Sequence, residues 1–133
     1  MLKLEIVTPE KRVLDAEVDS VTVPTATGEA GILQNHAPLI SALKPGVLSY
    51  SVKGTAEKLA VSGGFVEVNS DRVSVLVDTA ETADEIDVAA ARSDVDIAEK
   101  AIATAGMVAS DAASDSRDAL EHASARLKLA TGK

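Results

Sequence analysis

The chain has 133 residues, 46% hydrophobic and 26% charged, a globular balance that excludes intrinsic disorder and supplies about one domain's worth of core. With 13 Lys and Arg against 21 Asp and Glu the formal net charge is -8, which repels phosphate backbones and anionic headgroups and removes nucleic acid from the expected partners. Tyr50 and Phe65 are the only aromatic residues and there is no cysteine, so ring-stacking platforms, disulfide frameworks and thiolate sites are excluded too.

Two rules of spacing divide the sequence. Leu2, Leu4 and Ile6 alternate with Lys3 and Glu5, Val21 and Val23 flank Thr22, and Val73, Val75 and Val77 flank Ser74 and Leu76. A period of two is that of a half-buried strand. Strands are predicted near residues 2–7, 12–15, 18–25, 31–33, 47–53, 56–61, 65–69 and 72–77. Turn signals separate them, among them Thr8-Pro9, Pro45-Gly46, Lys53-Gly54 and Asn69-Ser70-Asp71. So many short strands predict a sandwich or flattened barrel. All four prolines and six of the eight glycines precede residue 65, which confines the turn-rich architecture to the first part.

From Glu85 onward there is no proline, and 14 alanines enter. Val88, Ala91, Val95, Ala98, Ile102 and Ala105 form one helical stripe that Gly106 stops, and Ala113, Ser116, Leu120, Ala123, Leu127 and Ala130 form a second, with Ser110 or Ser114 as candidate caps. The two predict an antiparallel helical hairpin. Its seam is mostly methyl groups, each contributing only about 0.8 kcal/mol on burial, against a conformational cost of roughly 1–2 kcal/mol per ordered residue. The hairpin is therefore expected to detach readily. The predicted class is α+β, with a β-sandwich over residues 1–84 and a regulatory hairpin over 85–133.

Chemistry-bearing motifs are few. His36 and His122 are the only histidines and have no ligand set near them in sequence, so no metal and no catalytic residue is predicted. Gly28-Glu29-Ala30-Gly31 lacks the ending of a phosphate loop and reads as a turn between strands, while Gly63-Gly64 reads as a bulge or close strand crossing. Gln34-Asn35-His36-Ala37-Pro38-Leu39 is a candidate contact loop. Arg117, Arg126, Lys128 and Lys133 give the last helix a basic end in an acidic chain, suited either to its dipole or to an acidic partner.

In order, Gly28-Glu29-Ala30-Gly31-Ile32-Leu33, His36-Ala37-Pro38-Leu39, Leu43-Lys44-Pro45-Gly46, Ser62-Gly63-Gly64-Phe65-Val66-Glu67-Val68 and Val73-Ser74-Val75-Leu76, followed by an alanine-rich hairpin, resemble the epsilon subunits of rotary F-type ATP synthases. The resemblance implies a flattened ten-stranded β-sandwich and a helical hairpin. It also implies a central-stalk subunit without an active site, set against the gamma subunit and the c-subunit ring, that couples proton flow to ATP synthesis and restrains hydrolysis through its hairpin. Glu29 and His36 would meet the ring, although Gln34-Asn35-His36 departs from the family's proline–glycine–histidine. Arg117, Arg126 and Lys128 would meet the alpha and beta catalytic subunits in the inhibited state.

Some bacterial members hold regulatory ATP between sandwich and hairpin. The matching positions are Glu81, Ile86, Asp87 and Arg126, but Ala90 stands where the family motif has arginine, Arg92 lies two positions on, and His122 occupies another basic position. Losing one charge-assisted phosphate contact removes roughly 1.5–3 kcal/mol, so ATP binding is expected to be weak or absent. Peripheral attachment at the cytoplasmic face of a bacterial membrane follows from the resemblance, and Met1-Leu2-Lys3-Leu4-Glu5-Ile6 reads as mature structure. Two readings of other classes remain open on the residues alone: a stand-alone ATP-responsive sensor, and a carbohydrate-handling sandwich using a carboxylate pair drawn from Glu29, Glu67 and Asp78.

Overall fold

The computed structural model describes residues 2–25, 28–33, 38–105 and 111–131. Ten strands come first: β1 (Leu2–Val7), β2 (Arg12–Val18), β3 (Ser20–Thr25), β4 (Gly28–Leu33), β5 (Leu39–Leu43), β6 (Gly46–Val52), β7 (Thr55–Val61), β8 (Gly64–Asn69), β9 (Arg72–Val77) and β10 (Ala80–Glu81). A 3₁₀ turn at Ala83–Glu85 leads into α1 (Val88–Ala105) and then α2 (Asp111–Thr131). The strand order is β10-β7-β6-β3-β5-β8-β9-β1-β2, with β4 paired to β3 off this path. This is the ten-stranded sandwich followed by two helices that the family resemblance implies.

Alternation builds the core. Leu2, Leu4 and Ile6 of β1, Val66 and Val68 of β8, and Val73, Val75 and Val77 of β9 point inward and join Val21, Val23, Ile32, Leu43, Leu48, Leu59 and Val61 in one apolar cluster. One pairing, Thr25 opposite Leu43, links β3 to β5 and so joins the two halves of the strand path. Strand β1 pairs antiparallel with β2 and parallel with β9, from Lys3 opposite Arg72 to Val7 opposite Leu76.

Local chemistry sets the turns. Lys53 and Gly54 both have positive φ, 50° and 81°, and close the two-residue hairpin between Val52 and Thr55, the backbone that best follows the twist of paired strands. Gly64 sits where β8 runs very close to β9: a methyl group there would overlap the Leu76 carbonyl. The close-crossing reading of Gly63-Gly64 thus holds at Gly64. Gly28-Glu29-Ala30-Gly31 differs from expectation, because these residues are the start of β4, with Glu29 opposite Pro24 and Gly31 opposite Thr22. Backbone pairing to β3 makes the strand where the side chains give no alternation. Strands β5 and β10 were likewise hidden in the spacing. Ile40 of β5 is an exposed apolar residue, and β10 has only two residues.

Strand β7 breaks its own alternation, since Leu59, Ala60 and Val61 are all buried. Leu59 and Val61 face the core, whereas Ala60 belongs to a second small cluster with Ile86 and Ala91, against which Leu127, Leu129 and Ala130 of α2 pack. The hairpin therefore covers the outer face of β6 and β7, with α2 touching both strands and the 3₁₀ turn, and α1 packed along α2. The predicted α1 stripe is seen in buried Ala91 and Ala98 and partly buried Val88, Val95 and Ile102. On α2 the buried arc is wider than one stripe, adding Ala125, Arg126 and Leu129 to Ala123 and Leu127, because this helix has α1 on one side and the sandwich on another. Ser114 lies inside α2 and is not its cap, and Ser110 lies outside the described residues.

The approach of α2 depends on the small side chain at Ala60. Ala60→Leu should overpack this contact by about 1–3 kcal/mol. The expected result, read by hydrogen exchange, is loss of protection in α2 with the amides of β1 and β9 unchanged.

Candidate functional site

Three features of the surface converge on the hairpin and the face opposite it. The first is a charged junction. Arg126 of α2 donates from Nε to Glu81 Oε1 at 2.8 Å and from Nη2 to Glu81 Oε2 at 3.3 Å, and its Nη1 reaches Asp94 Oδ2 of α1 at 3.2 Å. Each guanidinium nitrogen is thus directed at a carboxylate. The Arg126 and Glu81 side chains are 16% and 25% exposed, whereas Asp94 is 53% exposed, so the fork on Glu81 is the stronger contact. This one arginine ties both helices to β10.

Beside it, half-buried His122 places Nε2 3.3 Å from Thr79 Oγ1. Thr79 is anchored in turn, its N–H donating to Ser62 Oγ at 2.8 Å and its carbonyl accepting from the Ser62 N–H at 3.1 Å. Burial and then the Arg126 guanidinium push the imidazole below its ordinary pKa of 6.5, with Glu81 and Asp94 pulling the other way. His122 and Arg126 line an opening of about 290 Å³ between the helices, together with Asp94, Ile97, Ala98 and Ala101.

Below the junction, Thr82 and Glu85 close a reciprocal turn. Glu85 Oε1 accepts from the Thr82 N–H and hydroxyl, each at 3.0 Å, which holds the Glu85 carboxyl below its usual range. Asp87 then caps α1, its Oδ1 accepting from the Ala90 N–H at 3.1 Å. Ile86 is buried between these polar residues in the Ala60 cluster.

The second feature is a cleft of about 480 Å³ between the sandwich and α2, lined by Glu29, Lys44, Val47, Glu121, Ser124 and Lys128 among others. A smaller one of about 220 Å³ continues past Glu29, Ser49, Lys58 and Lys128. The third is an apolar strip on the outer face of the other strands. Phe65 pairs with both Ala42 and Leu76, and Leu76 with Val7, so the four form one row across β5, β8, β9 and β1. Ile40, Phe65 and Leu76 are 74%, 59% and 49% exposed. A polar ladder borders the strip, with Arg12 reaching Asp15 at 3.3 Å and Glu5 at 3.8 Å.

Of the residues singled out for ATP, Glu81 and Arg126 meet each other directly, Ile86 and Asp87 follow on the same segment, and Arg92 stands on an exposed face of α1. Glu29 is exposed on β4, in the cleft it shares with Lys128. Arg117 is exposed on α2, and His36 and Lys133 lie outside the described residues. Glu29, Glu67 and Asp78 line separate depressions and make no carboxylate pair there. Asp94 and the outer strip were missed in the sequence. The strip had a signal, because Phe65 and Leu76 are apolar at positions out of phase with Val66, Val68, Val75 and Val77.

Residues 1–83 match the model of the ATP synthase delta/epsilon chain β-sandwich domain. The chain is 50% identical over 101 residues to the ATP synthase epsilon chain of Geotalea daltonii, covering 76% of this chain and 73% of that one. It is 51% identical over 104 residues to that of Desulforamulus reducens, covering 78% and 79%. A chain in the Euglena gracilis mitochondrial ATP synthase structure, comprising OSCP, F1 and c-ring, superposes with a TM-score of 0.79 at 25% identity over 98% of this chain and 81% of that one. The fold also recurs in the central stalk and c-ring structure of the Tetrahymena thermophila enzyme, at a TM-score of 0.58 and 18% identity, over 98% and 94%. This sandwich with its helical hairpin belongs to the delta/epsilon family of ATP synthase subunits. The relatives from Geotalea daltonii and Desulforamulus reducens are ATP synthase epsilon chains.

The junction makes a measurable claim on stability. In a double-mutant cycle, Arg126→Gln and Glu81→Gln should each weaken hairpin seating, with about 1.5–3 kcal/mol lost for the charge-assisted contact and much less than the sum lost in the double variant. Seating is read from hydrogen exchange in α2.

Proposed function

We propose that this chain is a non-catalytic epsilon subunit in the central stalk of a bacterial F-type ATP synthase, held at the cytoplasmic face of the membrane by its partners. The exposed strip of Ile40, Phe65, Leu76 and Val7 carries the reading. Apolar surface of this kind on a β-sandwich, rimmed by charges, suits a protein partner, and the family supplies the gamma subunit as that partner. Glu29 and His36 then meet the c-subunit ring, a carboxylate and an imidazole suited to a polar loop.

Gripped in this way, the sandwich turns with the shaft and transmits rotation driven by the proton gradient to the catalytic subunits. The hairpin supplies regulation by obstruction. Released from β6 and β7 and extended along gamma, it brings Arg117, Arg126 and Lys128 to acidic segments of the alpha and beta catalytic subunits and blocks rotation in the hydrolysis direction. Release requires Arg126 to leave Glu81 and Asp94, so the same guanidinium serves the seated state and the inhibiting state in turn. ATP has little claim on the seated state, because Glu81 and Asp94 already occupy Arg126 and Ala90 stands where a phosphate-facing arginine would be. Weak ATP binding or none is the reading in keeping with these residues.

Two measurements test the proposal. Phe65→Asp should weaken association with gamma by about 2 kcal/mol, roughly 30-fold, while leaving the sandwich folded; unchanged association would remove the strip from the interface. In the assembled enzyme, ending the chain after Glu85 should raise ATP hydrolysis and leave assembly intact. Unchanged hydrolysis would dismiss the hairpin as an inhibitor while sparing the stalk assignment.

A further inference from the structure

The seam between the helices contains one group that neither the rotor contacts nor the obstruction mechanism uses. His122 lies where α1, α2 and the β9–β10 connection meet, with its Nε2 on the anchored Thr79 hydroxyl. It shares its opening with methyl groups of Ala98, Ala101, Ala119 and Ala123. Arg126 stands one turn further along the same helix. The charged groups that act on the imidazole are Arg126 from α2, Glu81 from β10 and Asp94 from α1. Asp118 and Glu121, on α2 itself, are exposed.

We infer that His122 makes the seating of the hairpin sensitive to pH, so that acidification loosens α2 from the sandwich. A proton on the imidazole puts a second cation beside Arg126 in a cavity walled largely by alanine. Glu81 and Asp94 offset that charge only in part, because both are already engaged with the guanidinium. Undocked, the same imidazole is in water and titrates normally. Protons therefore bind the released hairpin more readily than the seated one, and linkage requires the seated fraction to fall as they are added.

The sign follows from the lowered pKa. Well above 6.5 the imidazole is neutral in both states and seating is at full strength. As pH falls through 6.5 the released state gains a proton first and seating weakens, and the loss levels off below the lowered pKa of the seated form. The inference adds a control to the hairpin reading above, but its test uses the isolated full chain, so it can fail while the rotor assignment stands.

The test is amide hydrogen exchange across pH 5.5 to 7.5, corrected for intrinsic rates, in the full chain and in His122→Asn, which keeps a polar group toward Thr79 without a charge in this range. Protection of α2 in the unaltered chain should fall several-fold toward pH 5.5, with β1 and β9 unaffected, and the variant should show the same protection at both ends. A flat profile in the unaltered chain, an equal fall in the variant, or an unprotected α2 at pH 7.5 would each overturn the inference. Proton NMR gives an independent reading, with the two histidines assigned through His36→Asn. His122 must titrate below 6.5, and a midpoint at or above 6.5 would show that Glu81 and Asp94 prevail and overturn it.

Discussion

What covers the outer face of β6 and β7 decides how this molecule is organised. A sandwich can leave one face of each sheet in water, yet here Ala60 is withdrawn completely by helix packing while its neighbours Leu59 and Val61 belong to the core. The sandwich owes its cohesion to a continuous cluster of branched aliphatic side chains. The helical hairpin is held by Ile86, a few alanines and leucines, and one arginine. Burial of a single large aliphatic side chain contributes about 1.5–3 kcal/mol and a methyl far less, so the two parts of the chain differ in cohesion by construction. A large apolar cluster holds the sandwich and a small one holds the hairpin against it, before any partner is considered.

The polar contacts are arranged to match. Salt bridges on β1 and β2 are exposed and of little consequence for stability, whereas, among the described residues, the only guanidinium drawn into a partly buried fork sits where helices meet sandwich. A single side chain of α2 thereby joins that helix to β10 and to α1. Because α1 touches the sandwich mainly through α2 and the segment before it, whatever loosens α2 loosens both helices together.

Much of this was legible in the residues, and the exceptions have physical causes. Strands β1 and β9 show themselves because one face is wholly buried and the other is mixed. Strand β4 shows itself only at its end, residues 31–33; its start does not, since Gly28, Glu29 and Ala30 carry no alternation and backbone pairing to β3 makes them strand. Strand β10 is two residues long and has meaning only as the partner of Ala60 and Val61. Both helices follow from the 3.6-residue spacing, but the second contact face of α2 was hidden because periodicity reports one buried stripe and not how many neighbours supply it. Glu81 and Arg126 could be associated only through the family pattern. Asp94 could not be placed with them at all, because the register between two antiparallel helices is not encoded in either helix by itself.

The parallel pairing of β1 with β9 also has a consequence for synthesis on the ribosome. Strand β1 is made well before one of its two neighbours, which comes only with residues 72–77, so β1 and β2 must wait as a lone hairpin, which is marginal in water. Closure of the sandwich is therefore a late and long-range event, slow by the standards of local contacts. The helices emerge later still and settle on a surface that is already complete.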